Sequence, residues 1–150
     1  MRSERIYNGI PAAEMKQFLD EKADLYNKPS FIGDDPISIP HRYTGEGDKE
    51  IAGFLAATIA WGNRKMILRS AARMMEILEN SPYDFIVNSG DCELDKAVRF
   101  VHRTFNSVDL AFFLKALRHI YRNRGGLKSI FEIHQTSNSL QPAIHELHKI

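Results

Sequence analysis

Apolar residues recur at helical spacing along most of the chain, and the breaks between periodic stretches carry helix stop and start signals. In AAEMKQFLDEKADLY, residues 12–26, the apolar members are Met15, Phe18, Leu19 and Leu25, with Pro11 at a plausible first helical position. Pro29 and Gly33 end that segment. Residues 28–47 hold three prolines and three glycines and read as a long loop or extended arm, of the kind that is functional or packed over a core. Asp48 then caps a helix running through Trp61. Ile51, Phe54, Leu55, Thr58 and Ile59 share one of its faces, while Ala52, Ala56, Ala57 and Ala60 keep the other small, so this helix is expected to be central and buried.

Asn63 caps the next helix, to about Asn80, with Ile67, Ala71, Met74, Met75 and Leu78 as its buried stripe. Ser81 and Pro82 open a short helix that Gly90 closes, and a second short helix is expected over 92–101. Ser107 caps a long helix to about Arg124, with Leu110, Phe113, Leu114, Leu117, Ile120 and Tyr121 as core positions and Gly125 as the left-handed stop. Two further helical segments lie near 127–134 and 139–149, with Pro142 tolerable only in the first turn of the last one. The pattern shows no convincing strand, internal repeat or low-complexity tract. The expectation is an all-α, multi-helix fold with mostly short connections, a single helical domain over residues 1–150.

Bulk properties narrow this little. The chain has 150 residues, 43% hydrophobic and 26% charged, enough for one soluble core. The longest apolar run, Ile51 to Trp61, is too short to span a bilayer, and MRSERIYNGI has no signal-peptide core. Cys92 stands alone, so neither a disulfide framework nor a cysteine zinc knuckle is available, and a cytoplasmic protein is expected. Net charge is +1, but residues 61–128 carry 12 Lys/Arg against 7 Asp/Glu, so the basic excess is concentrated in the middle.

That middle contains the candidate chemistry. Asn63, Arg64 and Lys65 sit at a helix start, where free N–H groups and the positive dipole end suit a phosphate and where cations oppose the helix itself. An ordinary interhelical turn with Trp61 anchored in the core explains the same residues. Lys65, Arg69 and Arg73 recur at four-residue spacing and line up along one face. RFVHRTFNSVDL, from Arg99 to Leu110, mixes His102 and Arg103 with Phe105, a combination suited to phosphate contact and base stacking; the plainer alternative folds Phe105 inward as a hydrophobic staple. Arg118, Arg122, Arg124 and Lys128 would extend a basic surface, or simply face solvent.

Other motifs are weaker. HELH at 145–148 lacks the four-residue histidine spacing of a zinc protease, and TGEGDKE is not followed by the Lys-Ser or Lys-Thr of a phosphate loop. Asp34, Asp35, His41 and Asp48 fit no rigid metal cage. No cofactor and no metal are expected, and no Ser/His/Asp or Cys/His arrangement can be assembled.

Two stretches resemble a known superfamily. FLAATIAWGNRKMILRSAARMMEIL is similar to the helix–turn–helix that opens the six-helix barrel domain of the endonuclease III-like, helix–hairpin–helix DNA glycosylases, and FVHRTFNSVDLAFFLKALRHIYRNRGGL to a later part of that domain, with SPYDFI as the intervening short helix. More closely, DDPISIPHRY, DKEIAGFLAATIAWGNRK, SPYDF and FVHRTFNSVDL resemble the N-terminal part of a bacterial domain-of-unknown-function family of Bacteroides and spirochaete type, over roughly residues 10–130.

The resemblance implies an orthogonal bundle of the glycosylase type with its C-terminal part missing. It also implies that the Trp61–Lys65 turn and the Arg103–Asn106 loop approach DNA. Two positions depart from the glycosylase pattern: Gly62 stands where a gap-filling glutamine often sits, and Thr104 where a wedge leucine sits. Plugging would then fall to Trp61, Asn63 or Phe105. The hairpin motif, catalytic aspartate and iron–sulfur cysteines of that superfamily have no counterpart here.

The functional expectation is a nucleic-acid-binding helical domain without complete base-excision chemistry. DNA or RNA would be contacted by Trp61, Asn63, Arg64, Lys65, His102, Arg103 and Phe105, with further phosphate contacts from Arg69, Arg73, Arg118 and Arg122. The alternative is a helical scaffold with a protein partner, a homodimer or a docked C-terminal segment, met through Leu140, Ile144, Leu147 and Ile150. An enzyme lacking part of its site ranks third.

Overall fold

The computed structural model describes residues 10–90, 93, 99–136 and 139–150. These residues are mostly helical with one short two-stranded hairpin, an all-α protein. They divide into two compact units, residues 1–35 and 36–150.

In the first unit, α1 (Ala12–Tyr26) begins after Pro11, which takes the N-cap position rather than the first helical one. The predicted apolar face forms, but none of its residues is buried; Phe18, Leu19, Leu25 and Tyr26 are all exposed. Pro29 does not merely end the helix: it starts the short α2 (Pro29–Ile32).

The second unit opens on two single 3₁₀ turns, Pro36–Ser38 and Pro40–Arg42, within the expected long loop or extended arm. They seat Ile39 in the core with no exposed surface. Helix α3 (Glu46–Thr58) starts before Asp48 and stops three residues short of Trp61. It buries Ile51, Ala52, Leu55 and Ala56, whereas Ala57 and Ala60 face solvent, so it is buried along one side and not all round.

The Asp48 carboxylate does cap a helix, but a different one. It accepts the Tyr83 N–H at 2.9 Å and so closes the N-terminus of α5 (Pro82–Asn88), where Ser81 makes no side-chain cap. Helix α4 (Arg64–Ile77) buries the predicted Ile67, Ala71, Met74 and Met75, with Leu78 just beyond its end. Glu79 and Asn80, both at positive φ, then turn the chain.

The helix expected over 92–101 falls largely outside the described residues, as does Cys92. Its predicted end is not helical, because Val101–His102 forms β1, paired antiparallel with β2 (Phe105–Asn106). Helix α6 (Ser107–Asn123) is capped by Asn106 rather than Ser107, in a reciprocal capping box with Asp109. Gly125 and Gly126 take positive φ after it, and α7 (Leu127–His134) and α8 (Gln141–His148) follow, packed on each other.

Ile51, Leu55, Met74, Met75, Ile86, Phe100, Leu110, Leu114 and Leu117 are the centre of one hydrophobic core, each at most 1% exposed. A half-buried tie lies at its rim: the Tyr121 hydroxyl donates to Glu50 Oε2 at 2.6 Å. Burial, followed by the neighbouring Glu50 carboxylate, raises the Tyr121 phenol well above its usual value. Among the described residues no helix is long and apolar enough to cross a membrane.

Candidate functional site

The α3–α4 corner is a tight reversal. After α3 stops, the Ala60 N–H donates to Ala57 O at 3.1 Å and the Trp61 N–H to Ile59 O at 2.8 Å. Gly62 then takes φ +105°, a region that only glycine enters without strain. The Asn63 side chain accepts the Met66 N–H at 3.3 Å, the cap expected from the sequence.

Arg64 and Lys65 are the first two residues of α4, both exposed, and the first turn holds no acidic residue. Each cation at this end opposes the helix dipole by about 0.3–1 kcal/mol. Lys65, Arg69 and Arg73 continue as an exposed row down the helix, where like charges four apart cost a further ~0.2–0.5 kcal/mol per pair. Arg73 spends one N–H on Arg99 O at 3.1 Å. Among the described residues, Lys65, Arg69, Arg73 and Arg103 make no ion pair.

The β1–β2 hairpin supplies the other half. Its ladder pairs Val101 with Asn106 and His102 with Phe105, which leaves Arg103 and Thr104 as a two-residue turn. Arg103 sits at φ 57°, where hairpins of this length favour Gly, Asn or Asp. A side chain in that region costs about 1–2 kcal/mol. The Arg103 guanidinium carbon lies 5.0 Å from the Trp61 ring centroid, within cation–π range.

Beneath this stack, the His102 ring meets the indole edge to face, with centroids 5.8 Å apart at 89°. His102 is only 3% exposed. Its Nδ1 lies 2.9 Å from Ser70 Oγ of α4, and its buried Nε2 has no partner among the described residues. Gly62 completes the junction: a Cβ there would stand 2.8 Å from Arg103 Nε. The glycine is required by its own φ, and a side chain there would displace the guanidinium that crosses it. The two corners singled out in the sequence are brought side by side, with Trp61, Gly62, Asn63, Arg64, Lys65, His102 and Arg103 as their members.

Three candidate residues go elsewhere. Phe105 is not presented at the hairpin tip; it is half-buried, with its ring 6.0 Å from Phe100 and 5.5 Å from Phe113, so the inward alternative is the one adopted. Arg118 donates to Ser89 O at 3.2 Å, and Arg122 donates to Val87 O through Nε at 2.8 Å and again through Nη2. Both guanidiniums therefore satisfy carbonyls at the C-terminal end of α5, the end at which a helix dipole favours cations. Lys128 is also committed. It pairs with Glu46 at 2.6 Å, and this bond holds the Glu46 carboxyl below, and the Lys128 ammonium above, their ordinary values.

Two residues of the junction carried too little signal to be singled out: Ser70, a small polar residue beside the buried stripe of α4, and Gly62 in its role as the seat of Arg103. Among the described residues no three His, Cys, Asp or Glu side chains gather as a metal site requires. An apolar groove of about 530 Å³ runs along the middle of α6, lined in part by Phe54, Phe112, Phe113, Ile144, Leu147 and Ile150.

Comparison with curated proteins and with solved structures gives no match. Comparison with family models does: the model described as "Protein of unknown function (DUF2400)" matches residues 35–150. The match begins one residue before the second compact unit and spans all of it. The chain therefore belongs to the DUF2400 family of proteins of unknown function.

Proposed function

We propose that residues 36–150 form a nucleic-acid-binding domain on a helical scaffold of the DNA-glycosylase type, without complete base-excision chemistry. The observation that carries the reading is the Arg103 guanidinium laid over Trp61 beside the cationic N-terminus of α4. It joins a planar aromatic, a planar cation and a helix N-terminus on adjoining segments, and a sugar–phosphate strand offers complements to all three. A polyanion also accounts for what stability alone does not: Lys65 at the wrong end of α4, a like-charged row along it, and an arginine held at positive φ. His102 supports the surface from beneath. Arg118 and Arg122 are tied to α5 and take no part.

Fluorescence anisotropy with labelled single- and double-stranded DNA and RNA tests this. Binding should weaken steeply between about 50 and 200 mM salt, because released counterions drive it. The double variant Arg64→Ala/Lys65→Ala should lower the slope of log K against log[salt] by about 1.4–1.8, for two phosphate contacts. Absence of binding, or binding indifferent to salt, sinks the proposal. A borohydride trap with abasic DNA should capture no covalent adduct; an adduct would show lyase chemistry that the proposal excludes.

One observation favours a second reading, a scaffold with a protein partner. Phe112 is 68% exposed and Ile144 56% exposed, and both line the apolar groove along α6. Light scattering over a range of concentrations separates the two, since self-association that Phe112→Ser abolishes, with no nucleic-acid affinity, would favour the scaffold.

A further inference from the structure

Resting on the proposed function, we infer that the Trp61–Arg103 junction is a nucleobase-stacking site, and that its ligand is single-stranded nucleic acid rather than a duplex. Trp61 is 40% exposed although it lies between two well-packed helices, and it is already organised for stacking by the guanidinium on its ring. A base inside a duplex has both faces occupied by its neighbours, so it reaches an indole only after it has been unstacked. Proteins that do this themselves push an apolar side chain between the bases.

The hairpin tip here has no such tool. Its two turn residues are Arg103 and Thr104, and the adjacent aromatic, Phe105, is turned away onto Phe100 and Phe113. On the other corner, the residue after Trp61 is a glycine that cannot gain a side chain without meeting Arg103. An exposed aromatic beside phosphate-binding cations, with no apolar side chain in the two-residue turn of the hairpin, fits bases that arrive already unpaired.

A second observation points to the same spot. The His102 ring is edge to face with the indole, and its Nε2 is buried without a partner among the described residues. An unpaired buried nitrogen is costly. It belongs to the ring that packs against the indole a stacking base would engage.

The chain has a single tryptophan, so emission excited selectively from tryptophan reports this site alone. Titration with an unstructured oligothymidylate should quench that emission in parallel with binding followed by anisotropy. A blunt duplex of equal length should bind at least about tenfold more weakly at the same salt and leave the emission unchanged. Trp61→Leu should weaken single-strand binding by about ten- to hundredfold, the range for one base–aromatic stack, while Trp61→Phe retains most of it.

Arg103→Gly is the second variant. It relieves the positive φ and so is expected to fold, and it should still lose single-strand affinity by several-fold. Equal or tighter duplex binding without quenching overturns this inference and leaves the proposed function standing. No binding to either strand form overturns both. Single-strand binding that Trp61→Leu does not weaken, in a variant that melts like the parent, shows that the strand lies elsewhere.

Discussion

Replacing Asn63 by aspartate separates stability from binding more cleanly than any deletion at this site. Asn63 caps α4 through one bond of 3.3 Å to the Met66 N–H, and Arg64 and Lys65 follow with no acidic residue in the first turn. Asparagine and aspartate are comparable caps, so Asn63→Asp keeps the hydrogen bond. The new carboxylate also complements the dipole, which contributes about 0.3–1 kcal/mol. For a chain of this size, 1 kcal/mol moves the unfolding midpoint by about 2–4 °C, so a rise of about 1–4 °C is expected at neutral pH. That gain should vanish below about pH 3, where the carboxyl is protonated.

The effect on binding has the opposite sign. A negative charge placed about 4 Å from a bound phosphate costs roughly 1 kcal/mol even at the dielectric of water, and more where water is excluded. Affinity for an oligonucleotide should therefore fall at least about fivefold at low salt. Thermal melts and anisotropy on the same samples read both quantities. A raised midpoint with unchanged affinity would mean that no phosphate visits the N-terminus of α4. A midpoint lowered by several degrees would refute the capping argument itself.

Other expectations concern the scaffold. Leu114 is fully buried in the core, and Leu114→Ala should cost about 2–5 kcal/mol in denaturant unfolding. Asp48→Ala removes the cap that α3 lends to α5 and should cost about 0.5–2 kcal/mol, whereas Ser81→Ala, at the position that makes no side-chain cap, should change little. The Tyr121 phenol is raised in the folded state. Its contribution is therefore complete below the unfolded value near pH 10 and is lost as pH climbs above it, so the unfolding midpoint should fall beyond pH 10. Tyr121→Phe should lower stability by about 1–3 kcal/mol at pH 7, through loss of the bond to Glu50, and flatten that alkaline decline. An alkaline decline of the same steepness in the variant would assign it to another group, with Tyr43, also raised by burial, the first to examine.

Local physics made much of this legible in the chain. The buried stripe of α4, its Asn63 cap and the helical identity of 107–123 follow from spacing and capping chemistry that act within a turn or two. The cap of α6 lies one residue earlier than the sequence suggests because Asn106 can exchange bonds with Asp109, which leaves Ser107 as the first helical residue. What could not be read is non-local. Asp48 serves a helix that starts at Pro82, Arg118 and Arg122 find carbonyls on α5, and Phe105 turns inward because Phe100 and Phe113 are waiting there. The hairpin is too short for any periodicity to announce it. The meeting of Trp61 with Arg103 depends on that hairpin, so the sequence marked both corners without showing that Gly62 and the arginine fit against each other.

The central claim, that these two corners make one surface for a nucleic-acid strand, is tested most directly by photo-crosslinking. A single-stranded oligonucleotide carrying 5-bromouracil is irradiated with the protein, and the attached peptides are identified by mass spectrometry. The account predicts adducts on the segments containing Trp61 and Arg103 together, suppressed by salt. Adducts confined to α1 or to residues 139–150, with both corners unmarked under conditions where the strand is bound, would contradict it.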